Sequence, residues 1–512
     1  MIWQVLYMVF SSLFFLYAFL PLSLICYSFC RTLKSQNVCL LIFSLIFYAW
    51  GEPKYVLLLM AMAFFDWIFA LQIQRTDRKD TKRRKLWVAL ACIVDIGLIG
   101  FFKYGKMFAS LFGPPPDFIA NIALPIGISF YTFQLLSYVI DVSRGEAPAQ
   151  EEYWHVLLFA ALFHQCIAGP IVRYKLIAEE LFVRRDPFKD MSTGCVRFTV
   201  GLAKKVILAN ALGSIADSLL ISTSALAETA NIAENIAALS STSAVGLWVG
   251  LLASVVQVYF DFSAYSDMAI GMGMMLGFHY PENFNYPYLA KTAGEYWRRW
   301  HMTLGQWFRD YLYYPLTLGP AMKLRRFVQK LTNRKTGMFV QNLFTMLVIW
   351  SCTGLWHGAS WSYVLWGLYW CLFMLLEQMF FQSWLEKLPS VFSHIYLMLL
   401  LIFSRVIFRF ENMQYSLAVL KSMFCLSGNL FIDFKTATLL KNNVFILVFC
   451  ALAATPLIKN AALWIKGRLD SHSATRALSG ILSYGVVPIF LLLLSTAALV
   501  GSSYNPFLYY RF

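Results

Sequence analysis

Long apolar runs constrain this chain more than any other feature in it. From Val5 to Cys30 there is no charged residue. Further apolar stretches follow at Tyr55–Ile73, Leu86–Leu111, Gly194–Leu220, Val245–Phe278, Phe339–Trp356, Trp361–Leu376, Ile395–Phe408, Val444–Ile458 and Leu482–Val500. About 20 apolar residues in a helix cross the hydrocarbon core of a bilayer, and several of these runs reach that length. Composition agrees: 59% of residues are hydrophobic and 13% charged, against about 25% charged in a soluble protein. The expectation is an all-α, polytopic integral membrane protein. Met1-Ile2-Trp3-Gln4 lacks the positive n-region of a signal peptide, so Val5–Cys30 reads as a retained first span. No second soluble domain, long linker or internal repeat stands out, and residues 1–512 read as one transmembrane domain.

The formal charge of +15 is unevenly distributed. It collects in Arg75–Lys85, Arg173–Lys189, Lys323–Lys335 and Lys459–Arg468. Runs of this kind between spans set topology by the positive-inside rule and meet anionic lipid. Membrane spans separate them, which argues against a nucleic-acid partner. One of them could also attract an anionic cosubstrate. The ten cysteines lie apart, mostly inside apolar runs. They show neither a CxxC motif nor zinc-type spacing and read as small apolar residues. No metal is expected.

Several stretches break the apolar pattern. Gly113-Pro114-Pro115-Pro116 marks a loop. Pro125 and Gly127 interrupt Phe118–Val142, and Leu157–Val172 is polar enough to be re-entrant. Irregular backbone at membrane depth is tolerated where protein buries it or a cavity needs it. Counting such pieces, about 11–13 membrane segments are expected.

The candidate chemistry gathers in three stretches. Trp350–Trp366 holds one imidazole, His357, among tryptophans and beside Gly354 and Gly358. A titratable group within a span is a functional hypothesis by default. The glycines allow backbone or substrate to come close. Tyr296–Tyr311 (YWRRWHMTLGQWFRDY) brings a second imidazole. As one helix it would stack Trp297, His301, Leu304 and Phe308 on one side and turn Arg298, Arg299 and Arg309 elsewhere. Its plain alternative is an interfacial helix with an aromatic belt. Tyr259–Met268 places Asp261 and Asp267 in an apolar segment, where acids pair or line a polar cavity. Gly271, Gly273 and Gly277 follow without a dinucleotide fingerprint and suit close helix packing. No nucleophile elbow or P-loop occurs. Two histidines without metal spacing point to acid–base work, although a transporter with a polar interior path would produce much the same signals.

At these residues the chain resembles the membrane-bound O-acyltransferase family, and its bacterial alginate O-acetylation branch in particular. The matching stretches are LPIGISFYTFQLLSYVIDVSRG (Leu124–Gly145), QCIAGPIVRY (Gln165–Tyr174), VYFDFSAYSDMAIGMGMMLGF (Val258–Phe278), YWRRWHMTLGQWFRDYLYYPL (Tyr296–Leu316), GLWHGASWSYVLWGLYW (Gly354–Trp370) and NPFLYYRF (Asn505–Phe512). They lie in family order over nearly the whole chain. His164 stands where relatives often carry Pro. The resemblance implies a helical bundle around a central tunnel, in the bacterial cytoplasmic (inner) membrane. It implies transfer of an acyl group, acetyl in this branch, toward an exported or cell-surface polysaccharide. His357 would be the catalytic histidine and His301 its active-site partner. The donor would be acetyl-coenzyme A or another acyl thioester as cosubstrate, with no bound cofactor. Arg298, Arg299, Lys323, Arg325 and Arg326 are candidates to attract its phosphates. An extracytoplasmic protein would complete delivery. D-alanyl transfer to teichoic acid, peptidoglycan O-acetylation and transport of an acylated carrier remain alternatives.

Overall fold

The computed structural model describes residues 8–184, 187–222, 225–226, 231–501 and 505. Among them every regular element is a helix. The principal helices are α1 (Phe15–Phe29), α2 (Leu33–Gly51), α3 (Val56–Arg75), α4 (Thr81–Ala109), α5 (Ile128–Arg144), α6 (Tyr153–Ala161), α7 (Lys189–Leu220) and α8 (Ala244–Met275). They continue with α9 (Ala293–Arg299), α10 (Met302–Phe308), α11 (Pro320–Leu331), α12 (Arg334–His357), α13 (Trp361–Leu385), α14 (Ser390–Arg409), α15 (Phe434–Ala453) and α16 (Ser473–Gly501). Ten of these are long and apolar enough to cross a membrane. This multi-pass architecture follows from the sequence: inside lipid a helix satisfies its own backbone hydrogen bonds.

The stretches that fall short of a full span are those with breakers. Gly127 at φ 73° precedes α5, so that helix starts only at Ile128. Leu162 turns to ψ 113° and ends α6 after one short run. Val5–Cys30 yields the shorter α1, and its first residues lie outside those described.

The chain forms two compact units. The first comprises Met1–Leu202, Ala264–Asn283 and Leu482–Val500. Here Asp267 pairs with Arg197 at 2.9 Å, and the Nδ1 of His164 meets the Tyr280 hydroxyl at 2.8 Å. The glycines of α8 serve close packing, as expected: a Cβ on Gly271 would lie 2.7 Å from the Gly194 carbonyl oxygen.

The second unit comprises Ala203–Ser263, Phe284–Ile481 and Gly501–Phe512. Its core is aromatic: Tyr296, Trp300, Trp350, Trp366 and Trp370 are buried together. α15 shows the opposite character. Only 11% of its apolar window is buried, and side chains such as Phe445 stand outward, as lipid contact requires.

Candidate active site

Two helices of the second unit meet at His357. α12 runs to His357 and stops because Gly358 leaves the helix in an extended conformation, its N–H donating to the Leu355 carbonyl at 3.1 Å. Ser360 then caps α13 by accepting from the Ser362 N–H at 3.3 Å. The two helices lie backbone against backbone. A Cβ on Gly354 would sit 2.3 Å from the Tyr363 carbonyl oxygen, and one on Gly367 would sit 2.2 Å from that of Trp350. Gly358 makes room for the Tyr363 ring, which a Cβ would meet at 2.5 Å. The motif glycines thus admit neighbouring protein.

This contact builds an aromatic wall. Trp366 and Trp370 sit one turn apart on α13 and donate their indole N–H groups to Ser404 Oγ at 2.8 and 3.0 Å. Trp297 of α9 packs on Trp350, Trp370 and Trp366, with ring centroids 5.0, 5.3 and 5.7 Å away. The imidazole of His357 stands edge-on to Trp366 at 4.8 Å and to Phe408 at 5.0 Å.

Beside it opens a cavity of about 100 Å³, lined by His357, Asp261, Trp297, Trp366, Ser404 and Arg405 among others. This space holds several water-sized groups and so accepts a small acyl group. Asp261 is held by Lys205 of α7, whose Nζ lies 2.6 Å away with both side chains buried. Lys205 also donates to Asn210 Oδ1 at 3.2 Å. Arg405 of α14 donates its Nε–H to Ser254 Oγ at 2.9 Å. The cavity therefore joins one imidazole, one paired carboxylate, a guanidinium and the hydroxyl-bearing Ser404, Tyr288 and Tyr296 on a mostly apolar surface.

His301 is placed differently from the expectation of one continuous helix. α9 ends at Arg299, Trp300 is extended, and His301 takes a left-handed backbone, φ 42° and ψ 52°, before α10 begins. The break replaces the expected stack of Trp297, His301, Leu304 and Phe308. Trp297 and Trp300 stay with the aromatic core, while the buried His301 ring packs on Phe262 at 4.6 Å. Trp356 lies between the two imidazoles, its ring 5.8 Å from His301 and 4.8 Å from His357. Burial pushes the His301 imidazole down to about 3, so it is neutral at physiological pH. His301 does not line the cavity.

Nor do the five basic residues expected to face a cosubstrate. Arg299 pairs with Glu295 at 2.9 Å, and Arg298 is exposed. Lys323 and Arg326 are exposed on α11, whereas Arg325 donates to Gln341 Oε1 at 3.4 Å. Of the C-terminal NPFLYYRF stretch only Asn505 is described, and its Oδ1 accepts from Asn210 at 3.2 Å. Among the described residues no cluster of three His, Cys, Asp or Glu side chains could hold a metal.

Sequence reading missed Arg405, Ser404 and Lys205. A signal existed for the two cations, because an ionisable side chain inside an apolar run already marks a functional or paired site.

A site of this kind, an imidazole beside an apolar cavity in a multi-pass helical protein, suits proton transfer to or from a reacting hydroxyl. Comparison with known proteins defines the class. The family model of membrane-bound O-acyltransferases matches residues 5–420, and the chain belongs to that family. It is an O-acyltransferase and a multi-pass membrane protein. It is 36% identical over 425 residues to a protein of Pseudomonas aeruginosa named "Probable alginate O-acetylase AlgI", covering 81% of this chain and 75% of that one. The protein of the same name from Azotobacter vinelandii is 33% identical over 534 residues, covering 99% and 100%. The peptidoglycan O-acetyltransferase of Helicobacter pylori is 28% identical over 462 residues, covering 83% and 81%.

Proposed function

We propose that this O-acyltransferase moves an acetyl group from a cytosolic acyl thioester, acetyl-coenzyme A in the first instance, toward hydroxyls of an extracytoplasmic polysaccharide. It would do so from the inner membrane of a bacterium. The observation that carries the reading is His357, set on the wall of a small, mostly apolar cavity beside Ser404 and Arg405. The names of the relatives support the acceptor class, since they attach acetyl transfer to alginate and to peptidoglycan.

His357 acts as general base on the accepting hydroxyl and then returns that proton to the leaving thiolate. A positioned base contributes about 10²–10⁴-fold. The tryptophan wall keeps bulk water from the thioester, which hydrolysis would otherwise waste. His301, neutral and buried, braces Trp356 and through it the end of α12. The exposed Lys323 and Arg326 draw the donor's phosphates toward the membrane face. A second, extracytoplasmic protein completes delivery to the polymer.

The test is thiol release from acetyl-coenzyme A by the protein reconstituted in vesicles, with and without the extracytoplasmic fraction. Wild type releases thiol, and His357→Ala falls by about 10²–10⁴-fold. Equal release by both would sink the assignment of His357. A purified chain that acetylates polymer alone would remove the need for the second protein.

A further inference from the structure

We propose that Arg405 is the oxyanion donor of this site, its terminal N–H groups binding the charge that develops on the thioester carbonyl oxygen. The inference rests on the reading of His357 as the base in acyl transfer and adds a second residue to that reaction.

Three observations carry it. Arg405 lines the same cavity as His357. Its single hydrogen bond within the described structure runs from Nε to Ser254 Oγ at 2.9 Å. That bond orients the guanidinium and, among the described residues, leaves its two terminal nitrogens without a hydrogen-bond acceptor. Finally, no carboxylate among the described residues pairs with it. Arg409, one turn further along α14, takes Asp217 at 2.8 Å, and the cavity's own acid, Asp261, is held by Lys205 at 2.6 Å. The Phe408 ring also lies near Arg405, 5.4 Å from its Cζ.

A guanidinium within a membrane helix normally has a fixed anion, because an unpaired charge in low dielectric is unfavourable. Among the described residues Lys205 and Arg409 each have a carboxylate within ion-pair distance, whereas Arg405 has none and feels Asp217, the partner of Arg409, only at longer range. This arrangement disfavours the resting state and favours any state in which negative charge appears in the cavity. Acyl transfer produces one such charge. The hydroxyl oxygen attacks the carbonyl carbon, forming the new C–O bond. The carbonyl π pair moves onto oxygen, and the hydroxyl proton passes to His357. When the C=O bond reforms, the C–S pair leaves with sulfur, which takes the proton back from His357 and departs as thiol. Arg405 donates to the oxyanion between those two events. Donors pre-aimed at such charge in a water-poor site lower the barrier substantially, and the planar fork of Arg suits the role better than a Lys point charge.

The experiment compares wild type, Arg405→Gln, Arg405→Lys and His357→Ala in the full-length reconstituted protein, with acetyl-coenzyme A as the donor, the extracytoplasmic fraction with its polysaccharide supplying the accepting hydroxyl, and thiol release as the readout. Arg405→Gln should lower kcat by about 10²–10³-fold, the loss seen when one oxyanion donor is removed. The KM for the donor should stay within about threefold. Arg405→Lys, which keeps the charge but loses the planar fork, should recover about tenfold of that loss and still fall short of wild type. If Gln raises KM and leaves kcat unchanged, Arg405 holds a ground-state anion and the proposal is overturned. Equal losses in Lys and Gln, with unchanged melting temperatures, also overturn it, and so does full activity of Arg405→Gln beside an inactive His357→Ala. If Gln does not fold, the Lys variant decides alone, an unchanged kcat or a raised KM counting against the role. Full activity of His357→Ala beside an impaired kcat in Arg405→Gln would remove the base and leave the oxyanion donor standing. Failure of wild type itself to release thiol removes both.

Discussion

Single residues in this protein are arranged so that each buried charge or imidazole has a defined environment. The Lys205–Asp261 pair is the clearest case, with both groups buried at 2.6 Å. Removing one partner of a buried pair strands the other and costs about 3–5 kcal/mol. Lys205→Met should therefore melt at a clearly lower temperature in detergent, while the double change Lys205→Met with Asp261→Leu should recover most of the loss. His301 makes a different prediction. Its imidazole titrates near 6.5 when unfolded and is pushed down by burial to about 3 when folded. The unfolded chain then binds the extra proton between those values, so this contribution to stability is complete above about pH 6.5 and declines as pH falls toward 3. The melting-temperature advantage of wild type over His301→Gln should narrow from pH 7.5 to pH 5. A constant gap would contradict a buried neutral ring.

Among the helices, the α12–α13 hairpin decides where His357 points. Gly354 and Gly367 let the two backbones touch, and the added Cβ in each case would meet a carbonyl oxygen at 2.3 or 2.2 Å. Backbone on both sides cannot step aside as a side-chain tip can, so Gly367→Ala should push the helices apart. The expected result is a loss of at least about 1–3 kcal/mol, typical of overpacking, with activity falling further than stability because the aromatic wall shifts with the helices. Gly467→Ala, where a Cβ meets nothing within 4 Å, is the control that should leave both unchanged. The break between α9 and α10 is the other decisive local feature. His301 at φ 42° holds a left-handed conformation that non-glycine residues seldom take, and the chain turns there between two short helices.

For the whole molecule, the positive-inside rule predicts that the connection between α11 and α12 is cytosolic. Lys330 is exposed at the end of α11. In intact cells a Lys330→Cys variant should resist a membrane-impermeant maleimide and should react only once the inner membrane is opened. Labelling from the outside of intact cells would invert the orientation and require the donor to approach from the other face.

The apolar runs alone determined the class of structure, because a bilayer accepts a spanning chain only when its backbone bonds are closed within helices. Motif residues were equally legible: His357 and His301 announce themselves as lone imidazoles in tryptophan-rich, low-charge surroundings. Acids in an apolar segment such as Asp261 and Asp267 usually pair, line a cavity or fix helix packing, and Asp261 both pairs and lines a cavity. Tertiary structure alone decided which groups share the cavity. Helical spacing predicted one stack through His301, yet a single left-handed residue turned the chain and left His301 behind Trp356. Arg405 lies 48 positions beyond His357 in the chain, and nothing local relates them. They meet because Ser404 binds two α13 indoles and so docks α14 against that helix. Local pattern reports how each segment buries itself, whereas a site assembled from several helices depends on packing distances that no single segment contains.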